Sequence, residues 1–147
     1  MGRKLLAPVT LVGCSVLVLV ASAFGARVTL VTDSGLPEPA RHGLGAVEAA
    51  LQAHGAATDH AASLLEARGG HLVVAGLCRG DGAAAALIKV ENLTIPLLPE
   101  SLVIHRTKVG GEPAIVLCGA DARGLMYAAL DVAERIGWAG PKQDPFT

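Results

Sequence analysis

The sequence predicts an α+β domain: one mixed four-stranded sheet in a two-layer α/β arrangement, with helices packed on it, ending in a β-hairpin followed by a helix. Three observations predict it. Short β-branched apolar runs at 27–32, 71–75, 101–105 and 114–118 alternate with stretches whose apolar residues recur at helical spacing. The connection between the first two runs is long enough for a right-handed crossover. The last two runs flank a short turn holding Gly110 and Gly111, as a hairpin requires.

The elements follow in order. Residues 27–32 (RVTLVT) read as a strand, and 33–39, rich in Gly and Pro, as a turn-rich connection. A helix starts at 39 or 40 and runs to about 54, with Leu44, Val47, Ala50 and Leu51 on its apolar side and Gly55 as its stop. A shorter helix is expected over 59–67, capped by Asp59, with Leu64 and Leu65 inward. Residues 71–75 are apolar throughout, as a central strand is. A loop at 78–82 leads to a helix over 83–90, and Pro96 and Pro99 mark an irregular connection. The hairpin strands 101–105 and 114–118 precede a loop at 119–124 and a last helix over about 123–136. The inward face of that helix would be Leu125, Met126, Ala129, Leu130, Ala133 and Ile136. Residues 138–147 carry no pattern and read as a linker or tail.

The N-terminal segment, 1–26, reads as an export signal. Arg3 and Lys4 precede an uncharged run from Leu5 to Ala26, and small residues at Ala21, Ala23 and Gly25 suit cleavage near Ala26. Two alternatives stay open. An uncleaved run of this length would span a bilayer as an anchor, and the residues around Cys14 resemble a bacterial lipobox. The mature protein is thus expected to be secreted or periplasmic, reaching a membrane only through this segment.

Composition narrows the functions. A net charge of -1 makes no electrostatic case for nucleic acid or an anionic membrane surface. Aromatic residues are only 3%, so the core must be built from Val, Leu, Ile and Ala. Cys78 and Cys118 could pair in an oxidising compartment or remain buried free thiols, and spacing alone gives no distance between them.

Chemical motifs are sparse. Gly43 and Gly45 resemble the start of a dinucleotide fingerprint, but Glu48 stands where its third Gly belongs and the pair falls inside a helix. The glycines of 78–82 follow a strand and could bring N–H groups near an anion, yet no Walker lysine accompanies them. His42, His54, His60, His71 and His105 show no metal spacing, and Ser101 lacks a nucleophile-elbow context. Glu38, Glu48, Glu66, Asp81, Glu100 and Asp121 offer carboxylates, but no spacing selects an acid–base pair. Asn92 opens a glycosylation sequon, usable only on a eukaryotic secretory route. No catalytic, cofactor-binding or metal-binding residue is therefore expected, and no cofactor. Asp121, Arg123 and Gly124 read instead as structural or interdomain residues: a cap, a cation that pairs with Asp121 or reaches a neighbouring domain, and a point of close packing against the sheet.

These same residues carry a resemblance. Pro99-Glu100, the apolar run to Ile104, residues 114–117, and then Gly119, Asp121, Arg123, Gly124 and Tyr127 resemble the N-terminal accessory domain of α-glucuronidases and β-N-acetylhexosaminidases. The family pattern is a Pro-Glu strand, a hairpin, Gly-x-Asp-x-Arg-Gly-x-x-Tyr and a helix. Leu102 stands where the family has an aromatic, and Ala128 where it has Gly. The resemblance implies a glycoside-hydrolase accessory domain over 27–137 that is not itself catalytic. It adds Tyr127 to the structural or interdomain set. It also implies a partner: a catalytic (β/α)8 barrel of about 250 residues, absent from this chain or borne on a separate one, into which 138–147 would lead. Carbohydrate is the expected ligand class of the assembly. A stand-alone exported binding module, with its site in the loops at 78–82 and 119–124, is the alternative.

Overall fold

The computed structural model describes residues 25–96, 98–140 and 143. The expected leader, 1–26, lies outside them except for Gly25 and Ala26, and most of the expected tail lies outside as well.

Among the described residues eight elements form the fold: β1 (Arg27–Thr32), α1 (Glu38–Ala53), β2 (Ala57–Ala61), β3 (His71–Leu77), α2 (Ala83–Val90), β4 (Leu102–Val109), β5 (Glu112–Gly119) and α3 (Ala122–Trp138). The α+β class holds. The sheet is mixed, with five strands in the order β2-β1-β3-β5-β4, not four. All neighbours are parallel except the β4–β5 hairpin. That hairpin closes on Gly110 and Gly111, both at positive φ (60° and 90°), as a two-residue turn of this hand requires.

The extra strand corrects the helix expected over 59–67. Residues 57–61 (ATDHA) pair in parallel with β1, and Asp59 lies opposite Thr29 instead of capping a helix. A short polar segment gains little as an isolated helix, whereas the free edge of β1 offers it a full row of backbone partners. Leu64 does turn toward the core, but Leu65 is 96% exposed.

Alternation along the central strands divides the core in two. Val28, Leu30, Val73, Ala75, Ile115 and Leu117 face α1 and α3. Val31, Val74, Val116 and Cys118 face the other way, toward Ala84 and Ile88 of α2. Helices thus cover both faces of the sheet, not one. Thr29 is the buried polar residue of β1, and its hydroxyl donates to the Arg68 carbonyl at 3.3 Å.

The inner face of α3 also differs from expectation. Ala128 and Val132 are buried there, while Met126 and Leu130 are only half-buried. The cause is a close crossing with α1. Gly43 has no side chain, and a Cβ there would stand 2.9 Å from the Met126 carbonyl oxygen and 3.1 Å from Ala129 Cβ. Small residues therefore occupy the crossing and rotate α3 by part of a turn. Gly43 serves helix packing, not a phosphate turn.

Candidate functional site

Two constellations of polar residues stand out among the described residues. The first is a clasp between the start of β4 and the N-terminus of α3. Asp121 precedes α3 in extended conformation, and its Oδ1 accepts from the Gly124 N–H at 2.8 Å. Its Oδ2 accepts from the Glu100 N–H at 2.9 Å. The Arg123 guanidinium donates to Glu100 Oε1 at 3.2 Å. Gly124 lies so close that a Cβ would stand 2.4 Å from the Ser101 carbonyl oxygen. Glu100 itself takes a φ of 62°, unusual for a side-chain-bearing residue. The Gly124 and then the Glu100 N–H hold the Asp121 carboxyl below its ordinary range. Both oxygens of Asp121 thus accept from backbone and tie the approach to β4 to the start of α3.

Tyr127 lies one turn beyond Arg123, where i and i+4 share a helix face. It is 42% exposed, so it sits at the surface, not in the core. The structure therefore brings Asp121, Arg123 and Gly124 together with Glu100 and Ser101, and sets Tyr127 beside them on the outer side of α3.

The second constellation lies at the carboxyl ends of the parallel strands. The chain leaves β1 toward α1 on one face and leaves neighbouring β3 toward α2 on the other. Such a divergence opens a crevice at the strand ends, where open α/β sheets place their ligands. Asp33 stands in it. Its Oδ2 accepts from the Leu77 N–H at 3.2 Å, and its carboxylate lies against the bare Cα atoms of Gly76 and Gly82. On one side of Asp33 is a space of about 620 Å³ that includes Ser63, Arg79 and Asp81. On the other is a space of about 600 Å³ that includes Arg41, Glu48 and His60. Glu48 Oε1 accepts from the Thr58 hydroxyl at 3.1 Å and lies 3.0 Å from His60 Nε2.

Sequence pattern names Glu48, His60 and Asp81 singly, along with the 78–82 loop, but does not join them or include Asp33. Asp33, Glu48 and His60 are far apart in sequence and meet only through the β1–α1–β2 unit. The one available signal was Asp33 at a strand end ahead of a Gly-Pro turn. His54 lies elsewhere, its Nε2 3.2 Å from the Gln143 carbonyl oxygen. Asn92 is exposed and left-handed at the turn that ends α2. Cys78 and Cys118 are free thiols. Among the described residues no helix is long and apolar enough to cross a membrane.

Chemically, the clasp locks two backbone segments, while the crevice presents carboxylates, a guanidinium, an imidazole and hydroxyls with room beside them. No protein-family model and no curated protein matches the chain.

Proposed function

We propose that this chain is an exported, non-catalytic accessory domain of a glycoside hydrolase, docked on a catalytic (β/α)8 barrel in the same polypeptide or on a separate chain. One observation carries the reading. The residues of the resemblance, separated by some twenty positions of hairpin, converge in the Glu100–Asp121–Arg123–Gly124 clasp. A motif built this way rewards its residues for structure, which fits a family whose accessory domain leaves chemistry to its neighbour. Both sheet faces carry helices, so the outer side of α3, with Arg123, Tyr127 and the exposed Trp138, is the surface offered for docking. The test is an assay of the purified chain on aryl glucuronides and aryl N-acetylglucosaminides. No turnover is expected, and turnover abolished by one carboxylate substitution would overturn the proposal.

A second reading, a stand-alone exported binding module, is favoured by the twin crevice around Asp33. Its mixed charges and hydroxyls, with no Phe, Tyr or Trp among the described lining residues, suit a small polar ligand. Reading the gene beyond Thr147 and testing for a bound partner separate the two: a frame that continues into a barrel, or a separate barrel chain that binds this one, supports the first, and a stop codon with no such partner the second.

A further inference from the structure

We infer that the outer edge of β4 is a docking site for an extended acidic segment of a partner protein, which adds to the sheet as a further strand antiparallel to β4. The inference is independent of the accessory-domain reading and of the α3 surface named there.

β4 ends the sheet, and along its 8 residues only the β5 side is paired among the described residues. An open edge of that length is a template for another strand. Alternation sorts its side chains between two faces. On the α2 face, Val103 and Val109 pack on the apolar cluster, and Glu91 accepts from the Thr107 hydroxyl and stands beside His105. That face is used within the domain. The α3 face carries Leu102, Ile104, Arg106 and Lys108, and α3 covers it only in part. A groove of about 510 Å³ runs between Ile104 and Arg106 on β4 and Val132 and Arg135 on α3, with Ile115 also lining it. Leu102, on the same face, is 37% exposed.

Charge selects the occupant. Arg106 and Lys108 are exposed, and neither has an ion-pair partner among the described residues. Arg135, across the groove, is already held by Asp131 at 2.7 Å. Pairing β4 with β4 of a second copy would bring these cations near their own kind, which cross-strand neighbours disfavour. An incoming strand with carboxylates at alternate positions turns that penalty into attraction. Its next two alternate positions then lie opposite Ile104 and Leu102, where apolar side chains fit. Run antiparallel, the pattern is acid-x-acid-x-apolar-x-apolar.

The experiment titrates the full chain into fluorescein-labelled peptide ETETVTV, read by anisotropy and by amide hydrogen exchange. Saturable binding is expected, with new protection confined to 102–109. KTKTVTV should bind about tenfold more weakly, the worth of two cross-strand charge pairs. EPEPVPV keeps the charges but lacks the N–H groups a strand donates, and it should also bind about tenfold more weakly. Arg106→Glu with Lys108→Glu should reverse the order of the first two peptides. Equal binding of EPEPVPV, protection elsewhere, no reversal, or no binding of ETETVTV at about 1 mM would overturn the inference. So would protection of 102–109 that grows with chain concentration alone, which would make a second copy the occupant. If the double variant does not fold, the three peptides decide on the unaltered chain.

Discussion

At the N-terminus of α3, Gly124 lies against the Ser101 carbonyl, and Gly119 lies against the Leu125 amide. At the N-terminus of α2, Gly82 lies against the Asp33 carboxylate. Both regions use an Asp and close-packed glycines, yet the atoms those glycines meet differ in kind. In the clasp they meet main chain, which is fixed by the hairpin and the helix. In the crevice they meet the end of one side chain, with open volume on both sides of it. The first arrangement can only hold, whereas the second can rearrange around a guest.

The strongest way to break this contrast is to add a methyl group on each side of it. At Gly119 a Cβ would stand 2.1 Å from the Leu125 nitrogen, and at Gly124 2.4 Å from the Ser101 oxygen. Gly119→Ala and Gly124→Ala should each cost about 3 kcal/mol in urea unfolding, the upper end of overpacking penalties. A cost below about 1 kcal/mol would mean that the clasp backbone yields, and the contrast would fail. Gly82→Ala should cost less, about 1–2 kcal/mol, because Asp33 can swing away. The double variant with Asp33→Ala should recover about 1 kcal/mol of that, and strict additivity in the cycle would show that the carboxylate is not what Gly82 accommodates.

Acid sharpens the comparison more gently. The folded pKa of Asp121 lies below its ordinary 3.8, so its contribution is complete above that value and is lost as pH falls through the lower folded value. Wild type should therefore melt above Asp121→Ala at neutral pH, with the gap closing only below about pH 4. A gap unchanged at pH 2 would mean the ionised carboxylate is not what holds the cap. The smallest effect is expected at the rim of the clasp. Arg123 and Glu100 are substantially exposed, so Arg123→Ala should change stability by no more than about 0.5 kcal/mol. A larger loss that persists in high salt would make the guanidinium part of the lock.

Much of this was legible from the chain. Val28, Leu30 and Val31 mark β1, Leu72 through Ala75 mark β3, Gly110-Gly111 marks the hairpin, and Asp121 marks the start of α3, because each reports on its own neighbourhood. β2 was not legible, since Thr58, Asp59 and His60 owe their strand to the waiting edge of β1 and not to their own side chains. The rotation of α3 was hidden for a related reason. Leu130 outranks Ala128 in hydrophobicity, but only the crossing at Gly43 decides which of them is covered. The Asp121 cap could be read because sequence pattern carries it, while the pairing of Arg123 with Glu100 across the hairpin could not. The crevice could not, because no local rule joins Asp33 to His60.

The five-strand order leaves β2 and β4 on the outside. Each carries charged residues: Asp59 on β2, and Arg106 and Lys108 on β4. Unpaired strand edges recruit further chains, and charges spaced along them oppose that. A sheet with a parallel centre must close long connections before it is complete, which slows folding. During that interval these two strands are open to a neighbouring molecule, and their charges oppose its pairing.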